Sequence, residues 1–220
     1  MNAPVGRKDA VLLDLDGTLA DSRGGIERCF KFMLAQLGHD PATAGDLTAL
    51  VGPPIAVSVR TLLARYGDDR VDLGLTTYRA HYSEVALYDV APFAGVPEML
   101  TALQATGRPL CVATSKRRDF ARRVVEYLGF QSFLPTVYGA LPGGGLDDKK
   151  DMIAELLRVE GYDPAVTVMV GDRYHDIHAA QANGLRSIGV LWGYGGEAEL
   201  RDAGADVLVA VPADVVGQVG

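Results

Sequence analysis

The chain has 220 residues, a formal net charge of −7 and a pI near 5.1, and 48% of its residues are hydrophobic. This apolar content predicts a folded core and excludes a disordered protein. Because the chain is acidic and its basic residues occur only in short runs, neither nucleic acid nor a membrane surface is an expected partner.

Three further features predict a cytoplasmic protein. Residues 1–8 lack the apolar stretch of a signal peptide, and no apolar run approaches the ~20 residues that span a bilayer. The two cysteines, Cys29 and Cys111, lie in apolar segments without Cys-x-x-Cys spacing. They are expected to be buried thiols in a reducing compartment.

The first predicted element is a strand at residues 10–16. After it, residues 21–91 carry three amphipathic patterns at helical spacing, with no convincing strand between them. These patterns cover residues 26–37, 55–63 and 75–85. We therefore expect an all-helical cap inserted after the first strand, with residues 1–20 and 92–220 forming the core and residues 21–91 forming the cap.

The rest of the chain alternates between short apolar runs and helical patterns. The runs that predict strands cover residues 109–115, 166–172, 186–192 and, as an edge strand, 206–211. Continuous runs of Val, Leu and Ile are typical of strands buried on both faces of a parallel sheet. The alternation predicts an α/β fold with a Rossmann-like, doubly wound parallel sheet.

Polar residues follow these predicted strands at the point where each one ends. In open parallel sheets, ligands bind beyond the carboxyl ends of the strands. Carboxylate oxygens are ligands that Mg²⁺ prefers, and hydroxyl and ammonium groups suit a phosphoryl group. The candidate residues are Asp14, Asp16, Thr114, Ser115, Asp172, Asp176 and Lys149.

Four motifs in this order resemble those of the haloacid dehalogenase-like hydrolase superfamily. The first is Asp-Leu-Asp-Gly-Thr at residues 14–18, the second is Thr114, the third is Lys149 and the fourth is Gly-Asp-Arg-Tyr-His-Asp at residues 171–176. The resemblance covers nearly the whole chain. It implies a phosphatase, because related sugar phosphomutases usually carry Val or Ile at the position of Thr18.

The resemblance also implies roles for the residues of the site. Asp14 would be the nucleophile that forms an aspartyl-phosphate. Asp16 would be the general acid and then the general base. Thr114, Ser115 and Lys149 would bind the phosphoryl oxygens of the substrate.

The cofactor implied is Mg²⁺, held by Asp14, the backbone carbonyl of Asp16, Asp172 and Asp176.

Each aspartate also has a plainer interpretation. An aspartate after a strand often only caps a helix or forms a turn, and Asp176 could simply cap the helix that follows it. For Asp14 this is less favoured, because a charge inside an apolar run is costly to bury without a partner.

Several other residues lie close to these candidates in the sequence. Lys149 is preferred over its neighbour Lys150, because it precedes the acidic Asp151 by two residues as in similar sequences. His175 and His178 are interpreted as incidental to the site. The segment from Trp192 to Gly196 follows a strand, so a place at the rim of the site and a plain turn are about equally favoured.

The helical insert resembles the cap of phosphoglycolate phosphatases and of 5′-nucleotidase-like enzymes. The expected function is hydrolysis of a small phosphorylated metabolite in the manner of a phosphoglycolate phosphatase, by a monomer or homodimer. The alternatives are a 5′-nucleotidase or a pyrophosphatase of the same fold, and a non-enzymatic receiver-like domain phosphorylated on Asp14. Candidate contacts from the cap to the substrate are Arg23, Arg28, Arg60 and Tyr82.

Overall fold

A computed structural model describes residues 9–219 of the chain. The expected lack of a signal peptide rests on residues 1–8, which lie outside the described residues. Within residues 9–219, no helix is both long enough and apolar enough to cross a membrane.

Six parallel strands form the central sheet. They are β1 (Val11–Leu13), β4 (Leu110–Arg117), β5 (Thr136–Ala140), β6 (Val168–Gly171), β7 (Arg186–Val190) and β8 (Val207–Val209). Their order across the sheet is β5-β4-β1-β6-β7-β8. The first strand of the chain is therefore central, with β4 on one side and β6 on the other.

Helices cover both faces of this sheet. They are α4 (Val96–Ala105), α5 (Arg118–Tyr127), α6 (Lys149–Glu160), α7 (Tyr174–Ala182), α8 (Gly196–Asp202) and α9 (Pro212–Gln218). Side chains of a strand alternate between the two faces. Val11 and Leu13 pack in the cluster that includes α4, α5 and α9, whereas Leu12 packs in the cluster of α6 and α7. The predicted doubly wound α/β fold is confirmed.

The segment after β1 contains the predicted helices. A short antiparallel pair, β2 (Ala20–Asp21) with β3 (Ala91–Pro92), flanks it. Between these strands lie α1 (Arg23–Gln36), α2 (Ile55–Ala64) and α3 (Val71–His81), followed by a π-helical turn at Tyr82–Ala86. The apolar faces of these helices join the same hydrophobic cluster as one face of the sheet, so the helical segment packs continuously against it.

Two differences between the structure and the sequence-based expectation concern strands β5 and β1. Strand β5 was not predicted: it is only five residues long, includes Gly139 and lies at the edge of the sheet. The first predicted strand is also too long, since β1 ends at Leu13. The chain leaves the sheet there and turns at Gly17, and this departure places two aspartates at the sheet edge.

Candidate active site

Asp14 lies directly after β1, and its side chain is buried at the carboxyl edge of the sheet. Its backbone N–H donates to the Val170 carbonyl at 2.9 Å, which fixes the residue against β6. The Lys149 ammonium donates to Asp14 Oδ1 at 2.7 Å and also to Asp176 Oδ1. A carboxylate placed by the central strand is thus joined to a lysine from the start of α6.

The start of α6 explains why Lys149 and not Lys150 reaches the site. Asp148 caps the helix by accepting a hydrogen bond from the Lys150 N–H at 2.8 Å. Lys149, the first helical residue, then points inward and is buried, whereas the next residue around the helix is exposed. The structure places Lys149 beside Asp14, as the sequence predicted, and leaves Lys150 outside.

Three carboxylates come together beside Lys149. Oxygens of Asp14, Asp172 and Asp176 all lie within 4.8 Å of one another, and all three side chains are buried. Asp172 follows β6 and accepts the Tyr194 N–H at 2.7 Å. Asp176 accepts the Arg173 N–H at 3.0 Å, so it caps α7 and also faces the cluster. The capping interpretation of Asp176 is confirmed, and its role as a metal ligand stays a prediction.

The electrostatics of the cluster follow from burial and crowding. Burial, helped by the nearby charges of Asp176 and Asp16, raises the pKa of Asp14 to about 7 despite the lowering effect of Lys149. Burial and the neighbouring carboxylates also hold the pKa of Asp172 well above its usual range. Two clustered acids that share a pocket resist simultaneous ionisation.

This donor set fits a hard divalent cation. The three carboxylates offer oxygen ligands, and one ammonium leaves the ionised cluster with an excess of negative charge. Mg²⁺ favours such oxygen donors and is usually held by a few carboxylates together with substrate and water. The contribution expected from the Asp16 backbone carbonyl remains a prediction.

Asp16 forms a second polar group beside the first. Its Oδ1 accepts the Ser22 hydroxyl at 2.5 Å and the Lys116 ammonium at 2.7 Å. Lys116 also donates to the Tyr82 hydroxyl at 2.7 Å, although Tyr82 lies in the helical segment after β2. Asp16 is thereby connected to that segment through one lysine.

A small cavity opens between these groups and the helical segment. Its volume is about 70 Å³, and its walls include Asp14, Asp16, Thr114 and Ser115. Thr114 lies inside β4, and its hydroxyl oxygen accepts the Lys116 N–H at 3.2 Å. The structure therefore brings both predicted substrate-binding residues of β4 to the same cavity as the two aspartates.

Gly17 is required by the close approach of the turn to Asp172. Its φ is +94°, in the left-handed region that favours glycine. A Cβ at this position would lie 2.6 Å from the Asp172 carboxyl carbon. Any larger residue would displace one of the three clustered carboxylates.

The loop from Trp192 to Gly196 belongs to the rim of the site. Trp192 Nε1 donates to the Thr18 carbonyl at 2.9 Å. The Tyr194 hydroxyl donates to Asp21 Oδ1 at 2.9 Å and accepts the Ser22 N–H at 3.0 Å. This loop therefore orients Asp172 through its backbone and fixes the entry to α1 through a side chain.

Arg173 makes contacts that were not predicted from the sequence. It is buried, its Nη1 donates to the Val51 carbonyl, and its Nε donates to Glu199 Oε1 at 2.8 Å. Its position inside the fourth motif, at residues 171–176, is the feature of the sequence that could have identified it. Only the fold shows that the side chain reaches back to the helical segment.

Of the four residues of the helical segment that were expected to contact the substrate, most lie away from the small cavity. Tyr82 lines the small cavity. Arg28 instead pairs with Asp89, and Arg23 pairs with Glu27 at 3.0 Å. The remaining one, Arg60, is exposed and lines neither cavity described here.

The two histidines lie next to the site and outside the carboxylate cluster. Both line a larger depression of about 740 Å³ that adjoins the small cavity. Burial lowers the pKa of His175 to about 4. In residues 9–219, the side chains grouped closely enough to hold a metal ion are Asp14, Asp172 and Asp176.

Comparisons with known proteins agree with this geometry. A sequence profile of the haloacid dehalogenase-like hydrolase family matches residues 11–190. The chain therefore belongs to that family. A solved structure of a predicted phosphatase from Clostridium acetobutylicum has a TM-score of 0.88 and 28% identity, covering 97% of this chain and 99% of the other.

The chain is also similar in sequence to three named proteins. It is 39% identical to a 5′-nucleotidase of Pseudomonas aeruginosa over 87% of this chain and 86% of that protein. It is 38% identical to the tyrosine-protein kinase PtkA of Mycobacterium tuberculosis, over 84% of this chain and 62% of the kinase. It is 34% identical to a phosphoglycolate phosphatase of Neisseria meningitidis, over 89% of this chain and 85% of that protein. The chain is a phosphatase of the haloacid dehalogenase-like family.

Proposed function

We propose that this phosphatase hydrolyses a small phosphate monoester through an aspartyl-phosphate on Asp14, with Mg²⁺ as cofactor, in the manner of a phosphoglycolate phosphatase. One observation carries the proposal. The buried Asp14 carboxylate touches the Lys149 ammonium, lies within 4.8 Å of two other carboxylates and faces a cavity that also contains Thr114.

Asp14, Asp172 and Asp176 would hold the metal ion. When bound, Mg²⁺ neutralises the charge that builds up on the phosphoryl oxygens. Lys149 favours the ionised form of Asp14, which is the form that attacks phosphorus. Thr114 and Ser115 orient the phosphoryl group by hydrogen bonds.

Asp16 moves the proton in both steps. In the first, an Asp14 oxygen bonds to phosphorus, the ester P–O bond breaks, and Asp16 gives its proton to the leaving oxygen. In the second, a water oxygen bonds to phosphorus, its proton returns to Asp16, and the bond to Asp14 breaks. Lys116, which donates to Asp16 Oδ1 at 2.7 Å, holds this side chain in place.

The small cavity supports a small substrate. At about 70 Å³, it is far below the ~300–1,000 Å³ of pockets for drug-sized ligands. A 5′-nucleotidase, as one relative is named, would need to place the nucleoside in the larger depression alongside. A pyrophosphatase would need room for two phosphates, and a receiver-like domain would need neither Asp16 nor a substrate cavity.

We also propose that residues 21–91 act as a cap that selects the leaving group. Two contacts support this role. Arg173 binds the Val51 carbonyl, and Lys116 binds the Tyr82 hydroxyl. Both contacts join the sheet edge to the helical segment, so this segment is held against the side of the site where a leaving group would lie.

The test is a substrate screen combined with trapping of the intermediate. 2-Phosphoglycolate, nucleoside monophosphates, sugar phosphates and pyrophosphate are assayed with Mg²⁺ and with EDTA. Borohydride reduction should modify Asp14 during turnover, as seen by mass spectrometry. Asp14→Asn should abolish turnover without unfolding, whereas the exposed control Asp72→Asn should leave it unchanged. Turnover by Asp14→Asn would refute the nucleophile.

A further inference from the structure

Arg79 is a cationic residue whose place in the fold the proposed reaction does not explain. It lies near the end of α3, in the helical segment that covers the site. It lines both the small cavity that contains Asp14 and the larger depression beside it. The two spaces adjoin there, since they also share Ile55, Ser115 and Arg117.

The other two cations of the small cavity already have partners in the chain. Lys116 donates to Asp16 at 2.7 Å, and Arg117 Nε donates to Asp119 Oδ1 at 2.6 Å. The Arg117 guanidinium also stacks on Phe120, 4.1 Å from the ring centroid. Both charges are therefore already paired with a carboxylate of the chain.

Arg79 differs from both. Its Nε is buried, and no residue in the described range 9–219 accepts a hydrogen bond from it. A buried donor without an acceptor is costly, and more so when it carries charge. Arg118 Nε also lacks an acceptor within the described part of the chain, but that guanidinium lies over the Tyr138 ring and lines neither cavity.

We propose that Arg79 binds a second anionic group of the substrate, a carboxylate or phosphate on the leaving-group side. This inference rests on the proposed function. Asp14, Thr114 and Lys149 belong to the sheet core and receive the transferred phosphoryl group, whereas Arg79 comes from the opposite wall. A guanidinium there presents a planar set of donors that matches an anion held by two hydrogen bonds.

The test compares two substrates that differ in this group alone. 2-Phosphoglycolate carries a carboxylate where ethyl phosphate carries a methyl group. We expect the wild-type protein to prefer 2-phosphoglycolate by kcat/KM. Arg79→Gln should lower that preference about 10- to 100-fold, mainly through KM, because a charge-assisted contact is lost. Arg79→Lys should retain part of it.

Arg60→Gln is the matched control, because Arg60 is an exposed arginine of the same helical segment. It should leave the preference and the activity unchanged. Circular dichroism and thermal melting check that each variant is folded. An equal loss on both substrates, no loss on either, or a wild-type protein without the preference would overturn the assignment of Arg79.

A binding measurement separates this inference from the proposed function. Calorimetry of 2-phosphoglycolate and ethyl phosphate is performed on Asp14→Asn and on Asp14→Asn combined with Arg79→Gln. Weaker binding of 2-phosphoglycolate alone in the double variant supports the anion contact. Absence of turnover of every ester by the wild type would refute the proposed function, and unchanged binding in the double variant would refute the role of Arg79.

Discussion

Replacing Lys149 with Met should destabilise the metal-free protein strongly at pH 8 and much less at pH 5. The side chain is buried and holds two carboxylates, Asp14 and Asp176. Breaking a buried ion pair by removing one partner costs about 3–5 kcal/mol. At about 2–4 °C per kcal/mol for a chain of this size, the melting temperature should fall by roughly 6–20 °C.

The pH dependence follows from the pKa of Asp14. Burial already raises that pKa to about 7, above its ordinary value of 3.8. An acid with a raised folded-state pKa loses stability as pH rises from the unfolded value through the folded one. Without the Lys149 ammonium, the pKa of Asp14 in the folded protein rises further. The loss of unfolding free energy in Lys149→Met, relative to wild type, therefore grows between pH 5 and pH 8.

Lys150→Met is the control, because Lys150 is the next residue of the same helix. Its ammonium is exposed and lies 3.8 Å from Asp151 Oδ1. A surface pair of this kind contributes less than about 1 kcal/mol. Differential scanning calorimetry in EDTA measures both variants. Equal melting of the two at pH 8, or a larger deficit for Lys149→Met at pH 5, would refute the reasoning.

Three further predictions concern the same site. Adding Mg²⁺ should raise the melting temperature more at pH 8 than at pH 5.5, because the pKa of Asp14 at about 7 leaves this ligand protonated at the lower pH; an equal shift at both would contradict it. Gly17→Ala should lose about 2 kcal/mol or more and most activity, whereas Gly67→Ala, which has space for a Cβ, should lose about 1 kcal/mol in denaturant unfolding. Tyr194→Phe should cost about 1–2 kcal/mol in the same assay, since its hydroxyl bonds at the start of α1; unchanged stability would show these bonds to be neutral.

Much of the site was predictable because its residues follow strands. Parallel strands end at a common edge, so Asp14, Thr114 and Asp172 had to lie near one another. Lys149 was identified by its spacing from an acidic residue, and the fold places it beside Asp14.

The features of the site that could not be predicted depend on contacts between distant segments of the chain. Nothing local in the sequence shows that Arg173 reaches Val51, or that the Tyr194 hydroxyl lies at the start of α1. Arg79 resembles any arginine of an amphipathic helix until the fold shows that its buried Nε has no acceptor among residues 9–219. Strand β5 was missed for a different reason, because Thr136, Tyr138 and Gly139 interrupt the continuous apolar run that is typical of a buried parallel strand.

The central position of β1 has a consequence for synthesis of the chain. Lys149 follows Asp14 by 135 residues, which at ~5–20 residues per second takes about 7–27 s of translation. During that interval the first strand has left the ribosome with a carboxylate at its end, and its counterion does not yet exist. Its neighbour β6 is made later still. The strand that organises the finished molecule can therefore pair with β4 on one side long before β6 exists to cover the other.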